Sequence, residues 1–301
     1  MWILQILCVK MMITTETEVY FMKLCAFADE AAESLCGQIS AMQKSGISLL
    51  EIRHINGENI KDISAAKAIE IRKTLDAEGI SVWSVGSPIG KYPLGEDFAP
   101  HLDDFCRTAE LAEILGASHM RIFSFFPEKG AEKEKTKEKS LSRLAKICEK
   151  APANLMLCHE NEKEIYGEDI SACLSIHKSL PRIRAVFDPA NFVQCGVDTE
   201  AAWEELAPYV EYMHIKDARA DGTVVLAGDG DGKLPLLLRK YSDMGGDVVT
   251  LEPHLKKFIG LDKLENGKSI KTQSIYKTGG EAFDAAANRL KKLISDIEKG
   301  G

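Results

Sequence analysis

The chain has 301 residues, with 38 Lys and Arg against 46 Asp and Glu, a formal net charge of −8 at pH 7. That balance tells against a nucleic-acid binder, which would carry a basic face or stripe. The length does not force two domains, since a (β/α)8 barrel of ~250 residues is routinely one. A composition of 45% hydrophobic and 28% charged residues is ordinary for a soluble globular protein.

Residues 1–21 do not join the pattern that follows them. Met1–Ile13 is apolar, but it is too short to span a bilayer and Lys10 interrupts it. It lacks both the basic start and the small-residue cleavage site of a secretory signal. Residues 1–21 therefore read as an extension outside the fold, and 22–301 as one domain with no membrane partner. The eight cysteines are scattered without a CxxC pair. They read as free thiols in a reducing cytoplasm rather than as a disulfide framework.

From Lys23 onward, short apolar runs alternate with helical stretches. The runs predict strands at 23–28, 48–53, 80–86, 119–124, 154–160, 183–188, 210–215 and 247–252. Helices are predicted at 30–45, 61–78, 97–115, 135–150, 169–179, 199–208, 233–244 and 280–298. In the last, Phe283, Ala287, Leu290, Ile294 and Ile297 follow i+3 and i+4 steps. Glycines 46, 79 and 116 stand where C-terminal helix caps belong. Eight strand–helix units in strict alternation predict a parallel sheet closed into a (β/α)8 TIM barrel. An open doubly wound sheet would carry a Gly-rich turn after its first strand, and Phe27-Ala28-Asp29-Glu30 has no glycine. Segments 216–232, with a small hairpin around Thr223–Leu226, and 253–279 exceed ordinary loop length. They read as walls or lids of the mouth. The charge run Lys129–Lys139 reads as a solvated loop and helix start.

Four apolar runs end on an ionisable residue, namely Glu160, Asp188, His214 and Glu252. In a parallel barrel those ends open into one mouth. Three carboxylates and an imidazole converging there need a cation between them. Oxygen-rich ligands with one imidazole suit Mn²⁺ or Mg²⁺ best, with Co²⁺ and Zn²⁺ as alternatives. Mutual repulsion is expected to raise the proton affinity of at least one glutamate. Three other motifs fail. His159-Glu160-Asn161-Glu162-Lys163 has Lys where HExxH needs its second His, and Gly228–Lys233 is not a phosphate loop because Ala227 and Leu234 break GxxxxGK[ST]. Asp229-Gly230-Asp231-Gly232 lacks the closing glutamate of an EF-hand.

HENEKEIYG (159–167), FDPANF (187–192), YMHIKDAR (212–219), the glycine–aspartate loop at 228–232 and TLEPH (250–254) together resemble the sugar phosphate isomerase/epimerase family, the xylose isomerase-like barrels. The resemblance runs from about Met22 to the C-terminus. It implies one divalent ion, usually Mn²⁺, on Glu160, Asp188, His214 and Glu252, with Glu160 and Glu252 doubling as the acid/base pair. The implied reaction on a small carbohydrate is proton abstraction next to a carbonyl through a metal-stabilised enediolate, giving isomerisation or epimerisation. One departure is visible. Ketose 3-epimerases usually carry a histidine three residues after the aspartate, where this chain has Asn191, which carries no proton at neutral pH; this tells against a free ketohexose. Lys216 is expected in the mouth, with Arg219 near it, to bind a carboxylate or phosphate. His54 and Glu162 are further substrate-side candidates. A keto-polyol dehydratase on the same site and a non-catalytic sugar-binding barrel are the alternatives, and a homo-oligomer is compatible with all three. A DNA endonuclease on a related barrel would need several zinc ions, many more than seven histidines and a basic groove.

Overall fold

The computed structural model describes residues 22–261, 271–272 and 275–299. Eight parallel strands close into a barrel: β1 (Lys23–Ala26), β2 (Leu49–Ile52), β3 (Ser81–Gly86), β4 (His119–Ile122), β5 (Met156–Glu160), β6 (Ile183–Phe187), β7 (Val210–Ile215) and β8 (Val248–Leu251). β1 closes the ring by pairing with β8 through Lys23↔Val248 to Ala26↔Leu251 and with β2 on its other side. The predicted strands are all found, most of them a residue or two shorter. The extension read into residues 1–21 lies outside the described residues, as do 262–270 and 273–274 of the expected wall at 253–279.

The helices are α1 (Leu35–Lys44), α2 (Ala65–Ala77), α3 (Ala99–Leu115), α4 (Lys133–Lys150), α5 (Ile170–Ser179), α6 (Pro189–Gln194), α7 (Thr199–Leu206), α8 (Leu234–Asp243) and α9 (Gly279–Lys299). Local chemistry starts and stops them. Ser34, Ser64, Asp169 and Asp198 each accept a first-turn backbone N–H at the start of α1, α2, α5 and α7. Gly116 ends α3 in the left-handed conformation at φ 74°. α9 buries all five residues of its predicted stripe, with Ala282 and Ala286 beside them. The short α6 was not expected, since six residues are too few for periodicity to register. The charged 129–139 segment is largely exposed and laced by surface pairs such as Lys137–Glu134. The seven described cysteines are free. No described helix is long and apolar enough to cross a membrane.

Alternation along the strands builds the site from below. Cys158, Val186, Tyr212 and Val248 pack with Cys25 in a buried cluster. They sit two residues before Glu160, Asp188 and His214 and four before Glu252. A strand repeats its facing every second residue, so each ionisable residue tops a row whose lower members are barrel core. The outward rows pack against the helices in the large core that includes Leu157, Phe187, Met213 and Leu251.

The glycine–aspartate loop has a structural explanation. Asp217 is buried at the start of a two-stranded ribbon (Asp217–Ala218 with Val224–Val225), and its carboxylate accepts backbone N–H groups from Ala218, Gly228, Gly230 and Gly232. A Cβ on Gly230 would stand 2.3 Å from Asp217 Oδ1, and one on Gly232 2.7 Å, so only glycine lets the loop wrap this carboxylate. The ribbon is the hairpin expected within 216–232. A second ribbon, His54–Ile55 with Glu58–Asn59, was not expected.

Candidate metal centre and active site

Asp188 serves two structural demands at once. Its Oδ1 accepts the Asn191 N–H at 2.9 Å and caps α6, with Pro189 in the first helical position. Its Oδ2 is left facing the barrel axis. Glu160, Asp188, His214 and Glu252 are all buried and offer ligand atoms within 4.8 Å of one another. His214 Nδ1 stands 3.2 Å from both Glu160 Oε1 and Glu252 Oε2. Of these atoms, His214 Nδ1, Asp188 Oδ2 and Glu252 Oε2 make no well-formed hydrogen bond, although Lys216 Nζ stands 2.9 Å from Asp188 Oδ2. Buried polar atoms without such bonds are costly and rare. Three of them converging, mostly oxygen with one imidazole nitrogen, form a cluster able to hold a divalent metal ion.

Two arginines that the sequence reading missed organise this cluster. Arg53, at the end of β2, donates to Asp29 through Nε (2.8 Å) and Nη2 (3.0 Å), to Glu30 (3.3 Å), and to Glu252 Oε1 through Nη1 (2.8 Å). It is sandwiched between the Phe27 and Phe258 rings, at 4.2 and 4.6 Å. Arg121, on β4, donates to Glu160 Oε2 at 3.0 Å and lies 4.6 Å over Phe123. Each glutamate therefore has one oxygen held by a guanidinium and the other turned toward His214. The signal was present in the sequence, since Leu49-Leu50-Glu51-Ile52-Arg53 and His119-Met120-Arg121-Ile122 are also apolar runs carrying charges. Glu30, Glu51 and His254 were missed as well. His254 is 3% exposed, with Nε2 3.4 Å from both Glu30 Oε1 and Glu252 Oε1, and it holds a left-handed φ of 47°. Such strain in a non-glycine residue often accompanies function.

These cations reverse one expectation. Burial works to raise the Glu160 carboxyl, but His214 and Arg121 outweigh it, so Glu160 is held below the usual carboxylate value. Glu252 is held well below, burial being outweighed by Lys216, His254 and His214. The repulsion falls on other carboxyls. Burial, with repulsion from Glu160 and Glu252, pushes Asp188 up to about 7 against the pull of Lys216. Burial also takes Glu30 to about 8. His214 is raised well above its ordinary value, because Glu160, Glu51 and Glu252 outweigh its burial.

The remaining candidates divide. Lys216 Nζ is 2.9 Å from Asp188 Oδ2 and 3.9 Å from Glu252 Oε2, buried in the cluster. Asn191 donates to Glu160 Oε1 at 3.1 Å. Glu162 is held between Lys91 (2.9 Å) and Lys163 (3.2 Å). His54 Nδ1 lies 3.2 Å from Asp29 Oδ2. It lines a cavity of about 520 Å³ with Asn59, Lys61, Lys91, Ile259 and Gly260. Arg219 is not brought to the cluster. It is exposed, and its backbone N–H bonds Thr223 O across the ribbon that carries it outward. His159 faces away from the cluster, bonding Ser124 Oγ at 3.0 Å.

A closed parallel barrel with a buried carboxylate–imidazole cluster at the C-terminal mouth defines a class of protein. The family model described as Xylose isomerase-like TIM barrel matches residues 39–295. The chain belongs to that family. Among solved structures it is similar to an L-ribulose 3-epimerase at 15% identity and TM-score 0.73, covering 93% of this chain and 96% of that one. The probable 3-DHS dehydratase AsbF of Bacillus anthracis is similar at 14% identity and TM-score 0.70, covering 90% and 99%. The IOLI protein with a bound zinc atom is similar at 18% identity and TM-score 0.70, covering 92% and 99%. No curated protein sequence matches the chain.

Proposed function

We propose that this chain is a divalent-metal-dependent isomerase or epimerase that moves a proton on the carbon beside the carbonyl of a sugar, sugar acid or sugar phosphate. The paired setting of Glu160 and Glu252 carries the reading. They approach from β5 and from the end of β8, each with its outer oxygen fixed by an arginine and its inner oxygen aimed at the same point. A cation held by Glu160, Asp188, His214 and Glu252, with Mn²⁺ the first choice and Mg²⁺, Co²⁺ or Zn²⁺ the alternatives, supplies Lewis acidity toward the carbonyl. One glutamate takes the proton and the other returns one. Return to the opposite face of the same carbon is epimerisation, and return to the adjacent carbon is isomerisation. The arginines orient both carboxylates, so that the glutamate that takes the proton acts in its ionised form and the one that returns a proton acts in its protonated form. Lys216 and Asn191 supply donors for substrate oxygens beside the reacting carbon. His54 and the cavity take the far end of the molecule. That cavity mixes Lys61 and Lys91 with Glu58 and Asp62, a lining that suits hydroxyl groups.

A dehydratase is the second reading. It uses the same first proton abstraction, and the charged Lys216 donor 3.9 Å from Glu252 favours it, since it can assist a departing hydroxyl. Incubation of the Mn²⁺-loaded chain with ketoses, sugar acids and inososes in D₂O, followed by NMR of the products once the paramagnetic ion has been removed, tests both. Deuterium in a rearranged or epimerised product is expected, and Glu252→Gln should lose it. Deuterium with loss of water selects the dehydratase. Metal uptake without any C–H exchange would refute an enzymatic role and leave a sugar-binding barrel.

A further inference from the structure

Among the described residues, Glu51 is a buried carboxylate of the barrel interior that the proposed reaction leaves unused. It lies on the inward row of β2, two residues before Arg53, and is 1% exposed. No lysine or arginine pairs with it among the described ion pairs. Its Oε1 accepts from Tyr212 OH at 2.8 Å and from Ser84 Oγ at 3.2 Å. Its Oε2 stands 3.2 Å from His214 Nε2. A buried carboxylate is costly unless each oxygen is satisfied, and here both are satisfied by groups in the layer at and below the cluster.

The consequence falls on the imidazole. A carboxylate oxygen accepts and does not donate, so Glu51 fixes the proton on Nε2. The other ring nitrogen, Nδ1, has no hydrogen-bond partner and faces Glu160 and Glu252 at 3.2 Å. Phe27 packs edge-on against the ring, with centroids 5.2 Å apart, and limits its rotation. Tyr212 and Ser84 in turn hold Glu51 so that Oε2 is the oxygen left for His214.

We propose that Glu51 is a positioning residue for the metal centre, holding His214 in the tautomer and orientation that present the Nδ1 lone pair to the cation. This rests on the metal-dependent reading above and concerns how the cation is held. Removing an outer partner of a metal-bound histidine typically weakens binding by about 10–100-fold.

The test uses the full chain with Mn²⁺ alone, by calorimetric titration, and with Co²⁺, by its visible spectrum. Glu51→Gln keeps the size, but the Tyr212 and Ser84 hydroxyls donate to its amide oxygen and leave its NH₂ group, a donor, facing Nε2 where an acceptor is needed. Its Mn²⁺ affinity is expected to fall about tenfold or more, with an altered Co²⁺ spectrum and an unchanged circular dichroism spectrum. A folded Glu51→Gln chain that binds Mn²⁺ as the wild type does, with the same Co²⁺ spectrum, overturns the proposal. If that variant fails to fold, ¹⁵N NMR of histidine-labelled wild type loaded with Mg²⁺ or Zn²⁺ decides, with His214→Gln for assignment. Protonated Nε2 with metal-shifted Nδ1 supports the proposal, and metal on Nε2 overturns it. A wild-type chain that takes up no divalent ion refutes the functional reading and this inference together. Equal uptake by wild type and Glu51→Gln refutes this inference alone.

Discussion

Replacing Arg53 by Met isolates what the buried guanidinium does. Methionine fills most of the space between Phe27 and Phe258 with a flexible apolar chain, so the loss is chiefly electrostatic. It removes the two bonds to Asp29 and those to Glu30 and Glu252. Asp29 and Glu252 are 6% and 2% exposed, so water cannot replace those partners. Taking one partner from a buried ion pair costs about 3–5 kcal/mol. At roughly 2–4 °C per kcal/mol, the melting temperature should fall by on the order of 10 °C. The deficit should depend on pH. Burial works to raise the Asp29 carboxyl, but Arg53 and His54 outweigh it and hold it below its ordinary value. Without Arg53 the carboxyls rise, and a folded state with raised carboxyl pKa values binds extra protons that the unfolded chain has released. Its stability is lost as pH rises, so the gap to wild type should widen between about pH 5.5 and pH 8. Calorimetry of the metal-free protein at both pH values measures this. Adding Asp29→Asn should recover part of the loss, because the two residues interact directly. A variant that melts with the wild type at both pH values would refute the claim that Arg53 compensates these carboxylates.

A divalent ion at about 100 times its dissociation constant should stabilise the chain by about 2.7 kcal/mol, and chelator should remove the shift. Asp188→Asn should abolish that shift in a thermal melt while keeping α6, since asparagine also caps helices. Asp217→Ala should cost about 2–3 kcal/mol by stranding the backbone N–H groups of the glycine loop, and limited proteolysis should cut at 226–232. His101 and His177 are each held down to about 4 from 6.5, burial being the main cause in both. Below pH 6.5 the unfolded chain binds more protons than the folded one, so each costs up to about 3 kcal/mol of stability as pH falls from 6.5 to 4. Acid unfolding of His101→Phe should therefore shift to lower pH.

Much of the site was legible because it follows a local rule. Glu160, Asp188, His214 and Glu252 each end an apolar run, and the barrel brings such ends together. The same rule applied to the earlier strands would have found Glu51, Arg53 and Arg121. Asp188, read from the sequence as a ligand, provides both a helix cap and a cluster oxygen. Arg219 shows where spacing fails, because the chain leaves the barrel at Asp217 and a ribbon carries the arginine outward. His254 gave no periodic signal, since a left-handed backbone in a loop follows no repeat.

By itself the sequence determined the order and facing of the strands, because burial on both sides of a strand and one stripe of a helix are written as local patterns of apolar residues. It also placed the four cluster residues at the ends of their rows. Only the tertiary structure decided which cations stand against which carboxylates. Arg53 meets Asp29, Glu30 and Glu252 across the mouth, and Arg121 meets Glu160 from the next strand. Proton affinity depends on the distance between charges in space and on burial, and residues 199 positions apart, as Arg53 and Glu252 are, leave no trace of that distance in their spacing.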